Sequence, residues 1–134
     1  MTTYPNVKIR YLNEIPFGPA YYGVYINYKK IKGVFGRVGE FSEDKRYIAL
    51  EEWAGGKFSS NRIGCDFSNG RNKRLFLIDL DKMQYCTFDT NHSSVQNLRF
   101  ESHTLLYTCH RQDIKINIKD ITSWDGAVKF DMSK

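Results

Sequence analysis

Phe41-Ser42-Glu43-Asp44-Lys45-Arg46-Tyr47-Ile48-Ala49-Leu50 and Leu75-Phe76-Leu77-Ile78-Asp79-Leu80-Asp81-Lys82-Met83-Gln84-Tyr85 decide the fold of this chain. The first stretch is a polar turn running into an extended apolar segment. The second is a strand, a tight polar turn and a returning strand. Over residues 46–53 the faces separate cleanly: Tyr47, Ala49, Glu51 and Trp53 fall on one side, and Arg46, Ile48, Leu50 and Glu52 on the other. Ala, Leu and Glu also favour a helix there, and that alternative stands beside the strand reading. Asp79 interrupts an apolar run. A carboxylate in such a place must be hydrogen-bonded or paired, and tying down the following turn is the role expected of it.

The flanking segments repeat the extended pattern. Val7-Lys8-Ile9-Arg10-Tyr11-Leu12 alternates apolar and basic residues, and residues 21–28 form an aromatic strand. Lys29 to Gly33 is expected to turn that strand into Val34-Phe35-Gly36-Arg37-Val38, which Gly33, Gly36 and Gly39 make bulged, irregular or an edge. Residues 54–72 are rich in turn residues, with Ile63, Cys65 and Phe67 alternating as one short strand. Further strands are expected at residues 95–100 and 104–109. Gln112-Asp113 is expected to turn the chain into Ile114-Lys115-Ile116-Asn117-Ile118-Lys119, and Asp125-Gly126 into residues 127–130. The sum is an all-β domain spanning residues 1–134: an open, curved antiparallel meander or sandwich, partly propeller-like, with about nine or ten short strands.

Composition narrows the function classes. The nine Tyr and nine Phe suit pleated surfaces. A net charge of +5 is of the size that serves solubility alone, and it would also draw an acidic partner or a polyanion. Cys65, Cys86 and Cys109 are odd in number and lack close spacing, which argues against a disulfide scaffold or a structural zinc site. The start of the sequence lacks a signal-peptide pattern and no apolar run approaches a membrane span, so the expected location is cytoplasmic. His92, His103 and His110, the three thiols and the scattered carboxylates form no spacing that points to catalysis, a metal or a cofactor. The glycines of residues 33–39 lack the spacing and context of a phosphate loop. Tyr21, Tyr25 and Tyr28 beside Lys29, Lys30 and Lys32 are the combination that single-strand nucleic-acid binders use, and a lysine-guarded sheet edge is the competing explanation.

The two opening stretches resemble WD40 and related propeller blades, and the segment from Leu98 through Ile114 to Asp120 is similar to another blade's inner strands. The Gly-His and Trp-Asp dipeptides of those blades are missing apart from Trp124-Asp125. The chain holds material for about two blades, fewer than a closed ring needs, so the resemblance implies an open, curved sheet. In size, aromatic-rich strands and want of a reactive constellation the chain also resembles bacterial toxin immunity proteins, including those of contact-dependent growth inhibition. That resemblance implies a cognate protein toxin domain as partner, typically a nuclease, neutralised by covering its active site or an exosite. The expected contact residues are Tyr47, Glu51, Glu52 and Trp53, with Phe58, Asn61, Arg62 and Asp66 in the irregular segment. Many inhibitors of basic nucleases are acidic, whereas this chain is basic. Either the partner is acidic, or Glu40, Glu43, Asp44, Glu51 and Glu52 act against the overall sign. A nucleic-acid-binding β domain is the alternative.

Overall fold

The computed structural model describes residues 3–14, 20–53, 73–90 and 95–131. These residues form eleven strands and one short 3-10 turn at Ile118–Asp120. The strands are β1 (Val7–Glu14), β2 (Ala20–Ile26), β3 (Lys29–Lys30), β4 (Phe35–Phe41), β5 (Tyr47–Trp53), β6 (Lys73–Asp79), β7 (Gln84–Asp89), β8 (Gln96–Glu101), β9 (Thr104–Cys109), β10 (Gln112–Asn117) and β11 (Gly126–Ala127). The large sheet has the order β1-β2-β4-β5-β6-β7-β11, with β3 also paired to β2. The small sheet has the order β10-β9-β8. All pairings are antiparallel. The fold is therefore the open all-β meander that the periodicity implies. β3 and β11 raise the strand number above nine or ten, and at two residues each they are too short to leave a periodic signal. Among the described residues no helix is long and apolar enough to cross a membrane.

The two central strands explain the architecture. On β5 and β6, Ile48, Leu50, Phe76 and Ile78 join Val24, Ile26, Ile31, Phe35 and Leu80 in one apolar cluster. On the opposite face Ala49, Leu75 and Leu77 join Val95, Leu98, Leu105, Tyr107, Cys109 and Ile118 in a second. One cluster lies within the curl of the large sheet; the other cements the small sheet onto its back. A strand covered on both sides reads as an unbroken apolar run, as Leu75-Phe76-Leu77-Ile78 does. The helix alternative over residues 46–53 fails for the same reason. Alternate residues of that stretch go to different clusters, which a period of 3.6 cannot arrange.

Asp79 holds the β5–β6 end together. It is 2% exposed and accepts the backbone N–H groups of Asp81 (3.0 Å) and Lys82 (3.3 Å), fixing the turn. Arg46 grips both its oxygens, Nε to Oδ1 and Nη2 to Oδ2 at 3.0 Å each. Hydrogen bonding to Asp79, partly opposed by burial, raises the Arg46 pKa further, so the guanidinium is charged at every pH at which the protein folds. Losing Arg46 would strand a buried carboxylate, an effect worth about 3–5 kcal/mol in such pairs.

Two turns fall earlier than the sequence suggests. The hairpin from β2 turns at Asn27 and Tyr28, with φ of 49° and 69°, rather than at residues 29–33. The hairpin from β9 turns at His110 and Arg111, with φ of 53° and 63°, rather than at Gln112-Asp113. Both are two-residue turns of the kind that needs positive φ at each central position, which matches the sheet's twist. β4 is irregular, with a register shift against β5 between Phe35 and Gly39, but it lies inside the sheet and is not an edge. Asp125-Gly126 makes no hairpin turn. Asp125 instead accepts hydrogen bonds from the Thr87 N–H and hydroxyl, laying β11 against β7. Beyond it Phe130 bridges to Ile31, and Lys32 N–H donates to the Lys129 carbonyl at 2.8 Å. The last described segment thus spans from β7 to the β3–β4 link.

Leu77→Ala and Ile78→Ala test the double covering. These neighbours face different clusters, and both are fully buried. Each truncation should lower unfolding free energy by about 2–5 kcal/mol in urea titrations. A one-sided sheet would show the loss for one of them only.

Candidate functional site

The expected contact residues divide into three groups. Phe58, Asn61, Arg62 and Asp66, together with the short strand expected at Ile63, Cys65 and Phe67, lie outside the described residues. Tyr47 is half-buried and stacks on Trp124, with centroids 6.4 Å apart and planes 13° apart. Glu51, Glu52 and Trp53 are buried, at 6%, 8% and 6% exposure. Glu51 Oε2 accepts the Val95 N–H at 3.0 Å and its Oε1 accepts Trp53 Nε1–H at 3.4 Å. Glu52 Oε1 accepts from Arg74 Nε at 2.6 Å. These three side chains work inside the fold, which corrects their assignment as outward contacts. Burial pushes the Glu52 carboxyl pKa up, and the hydrogen bond from Arg74 opposes this only in part.

The histidines and thiols do not converge among the described residues, where no group of three or more His, Cys, Asp or Glu could hold a metal. His103 and His110 are exposed in the turns at opposite ends of β9. The Cys109 thiol is buried and donates to the Thr90 carbonyl at 3.4 Å, while burial raises the pKa of Cys86.

A different surface gathers cations and aromatic rings. The register pairs Lys8 with Tyr25 and Arg10 with Gly23 across β1–β2, and Tyr25 with Lys30 across β2–β3. Lys8, Arg10, Tyr25 and Lys30 therefore share one face, while Val7, Ile9, Val24 and Ile26 share the other, toward the core. The positive-φ turn then swings Tyr28 onto the Lys8 side. The result is a depression of about 230 Å³ lined by Lys8, Arg10, Tyr25 and Tyr28. Lys8 Nζ sits 6.0 Å from the Tyr28 ring centroid, and the Arg10 guanidinium carbon 5.7 Å from that of Tyr25. Ring quadrupoles hold such cations in place without neutralising them. Neither Lys8 nor Arg10 pairs with a carboxylate among the described residues. Gly23 keeps the floor low, since a Cβ there would lie 3.1 Å from Lys30 Cε and 3.3 Å from Leu12 Cδ1.

Edge protection alone would explain basic residues on β1, a terminal strand of the large sheet. It does not explain Tyr28, a large ring left 75% exposed beside them. The alternation of Lys8 and Arg10 with apolar neighbours, and the tyrosines of β2, were visible in the sequence. Their meeting was not, because it depends on the strand register and on the turn at Asn27-Tyr28.

Lys8→Ala, Arg10→Ala and Tyr28→Ala should each change stability by no more than about 0.5 kcal/mol in thermal melts, as exposed groups outside the core do. Glu52 should behave differently. Its raised pKa means that the folded chain holds this proton more tightly than the unfolded one. Its contribution is therefore present at low pH and lost as pH rises through the folded value. The stability of the native chain relative to Glu52→Gln should fall as pH climbs out of the ordinary glutamate range, and a flat difference across that range would contradict this. No family model, curated protein or solved structure matches this chain.

Proposed function

We propose that this chain is a protein-binding inhibitor of the bacterial cytoplasm, an immunity protein that neutralises one cognate toxin domain by covering its active site or an adjacent exosite. The observation that carries this reading is the pair of cations, Lys8 and Arg10, which meet no carboxylate among the described residues and are poised over Tyr28 and Tyr25 on a hydrogen-bonded sheet face. Tyr and Arg are the residues on which binding energy concentrates at protein interfaces. A sheet presents them with little ordering left to do on association. The surface differs from the one expected from the sequence: it is basic, and it lies on β1–β3.

The sign of the charge selects the partner. Of the acidic residues that could have opposed the basic balance, Glu51 and Glu52 are internal, leaving Glu40, Glu43 and Asp44. An acidic partner surface is then the better match. A nuclease that gathers carboxylates to hold catalytic metal ions offers such a surface at its active site. Complementary charge would speed capture as well as strengthen it.

Co-expression with the product of the adjacent upstream gene, followed by size-exclusion chromatography, tests this. A complex should elute at micromolar concentration. The double charge reversal Lys8→Glu, Arg10→Glu should weaken it by at least about a hundredfold, with much of the loss in the association rate. Absence of a complex, or indifference to the reversal, would contradict the reading.

The same groups favour one second reading, a single-stranded nucleic-acid binder, in which Tyr25 and Tyr28 stack bases and Lys8 and Arg10 meet phosphates. In that case oligonucleotide affinity should fall steeply with salt. Absence of binding at low salt, or an affinity that ignores salt, would remove it.

A further inference from the structure

A second concavity, away from the β1–β3 face, has a different chemistry. It is a cavity of about 110 Å³ where the last described segment crosses the β3–β4 link. Ile31 and Lys32 form one wall, and Val128 and Lys129 the other. Phe76 and Tyr85, stacked with centroids 5.0 Å apart and planes 3° apart, supply the apolar side. Glu52 and Arg74 complete the lining. Lys32 and Lys129 are exposed, so the cavity has a way to solvent between them.

Glu52 is the unusual member. It is only 8% exposed, and its Oε1 is taken by Arg74 Nε. Among the described residues, Oε2 accepts no hydrogen bond, and the terminal nitrogens of Arg74 donate none. A buried carboxylate oxygen without a donor carries a desolvation cost that a suitable ligand would remove. Gly33, at φ +118°, keeps the approach to this oxygen open: a Cβ there would lie 3.1 Å from Oε2.

The lining excludes simple ions. A cation would meet Lys32, Lys129 and Arg74. A simple anion would satisfy those groups but press its charge against Glu52 Oε2. A neutral planar group with an N–H donor on one side and a carbonyl on the other satisfies both ends at once. The volume suits it as well, being smaller than the roughly 150 Å³ of an engineered cavity that holds benzene. We propose that this cavity binds a primary carboxamide, its NH2 donating to Glu52 Oε2 and its carbonyl accepting from the Arg74 guanidinium, with its apolar stem against Phe76 and Tyr85. The group can arrive as a free small amide or as a glutamine or asparagine side chain of a protein. Nothing in the site depends on the toxin reading, and its test needs no partner.

Amide chemical shifts of the whole protein, followed during millimolar titration with propionamide, propionate and propylammonium, decide the matter. Propionamide should give saturable shifts at Lys32, Gly33, Glu52 and Val128, while the two ions should give none there. Val128→Phe, which fills the cavity and leaves the Glu52–Arg74 pair in place, should abolish the response, provided that its spectrum is otherwise native. A parallel titration compares acetyl-Gly-Gln-Gly-N-methylamide with acetyl-Gly-Ala-Gly-N-methylamide, which carries no primary carboxamide. A stronger response to the glutamine peptide than to propionamide assigns the group to a protein side chain, and the reverse assigns it to a free ligand. No saturable shift with any amide, or propionate acting as well as propionamide, would overturn the proposal.

Discussion

Burial of β5 and β6 on both faces is the constraint from which the rest of the molecule follows. A single antiparallel sheet with one apolar side could lie against one layer and leave the other side wet. Here neighbouring residues such as Leu77 and Ile78 are both removed from water, so two layers are required. The large sheet supplies one by curling its own β1–β4 limb over Ile48, Leu50, Phe76 and Ile78. The small sheet supplies the other through Leu98, Leu105 and Tyr107. The curl also turns the Lys8–Tyr25–Lys30 row outward, because the same strands have given Val7, Ile9, Val24 and Ile26 to the interior.

That division explains which parts of the molecule were legible in the sequence. Leu75-Phe76-Leu77-Ile78 announces a doubly covered strand, and Asp79 within it announces a fixed turn. Both properties are local, set by residue type and period. Two-residue turns are local too, but Asn27-Tyr28 and His110-Arg111 lack the glycine that usually marks positive φ, so the signal pointed to more polar neighbours downstream. The short β3 and β11 depend on which segments meet, and nothing in a two-residue run encodes that.

The site was less legible than the fold, for a physical reason. Glu51, Glu52 and Trp53 looked like an exposed acidic-aromatic patch because alternation on β5 assigns faces but cannot say that both faces are covered. Once covered, Glu51 becomes a cap for the Val95 N–H and Glu52 an internal ion-pair partner. Conversely, Lys8 and Arg10 looked like the outward residues of an ordinary half-buried strand. What distinguishes them is a pairing between strands: Lys8 opposite Tyr25, with Tyr28 brought alongside by the turn. Charge and aromaticity were present in the composition, and the register turned them into a surface.

Under the proposed reading this surface, rather than any reactive cluster, is the working part of the protein. Hydrogen–deuterium exchange on the complex with the upstream gene product tests that most directly. The account predicts new protection concentrated in residues 7–12 and 20–30, with β8–β10 exchanging as in the free chain. Protection confined to β8–β10, with the β1–β3 face unchanged, would contradict it.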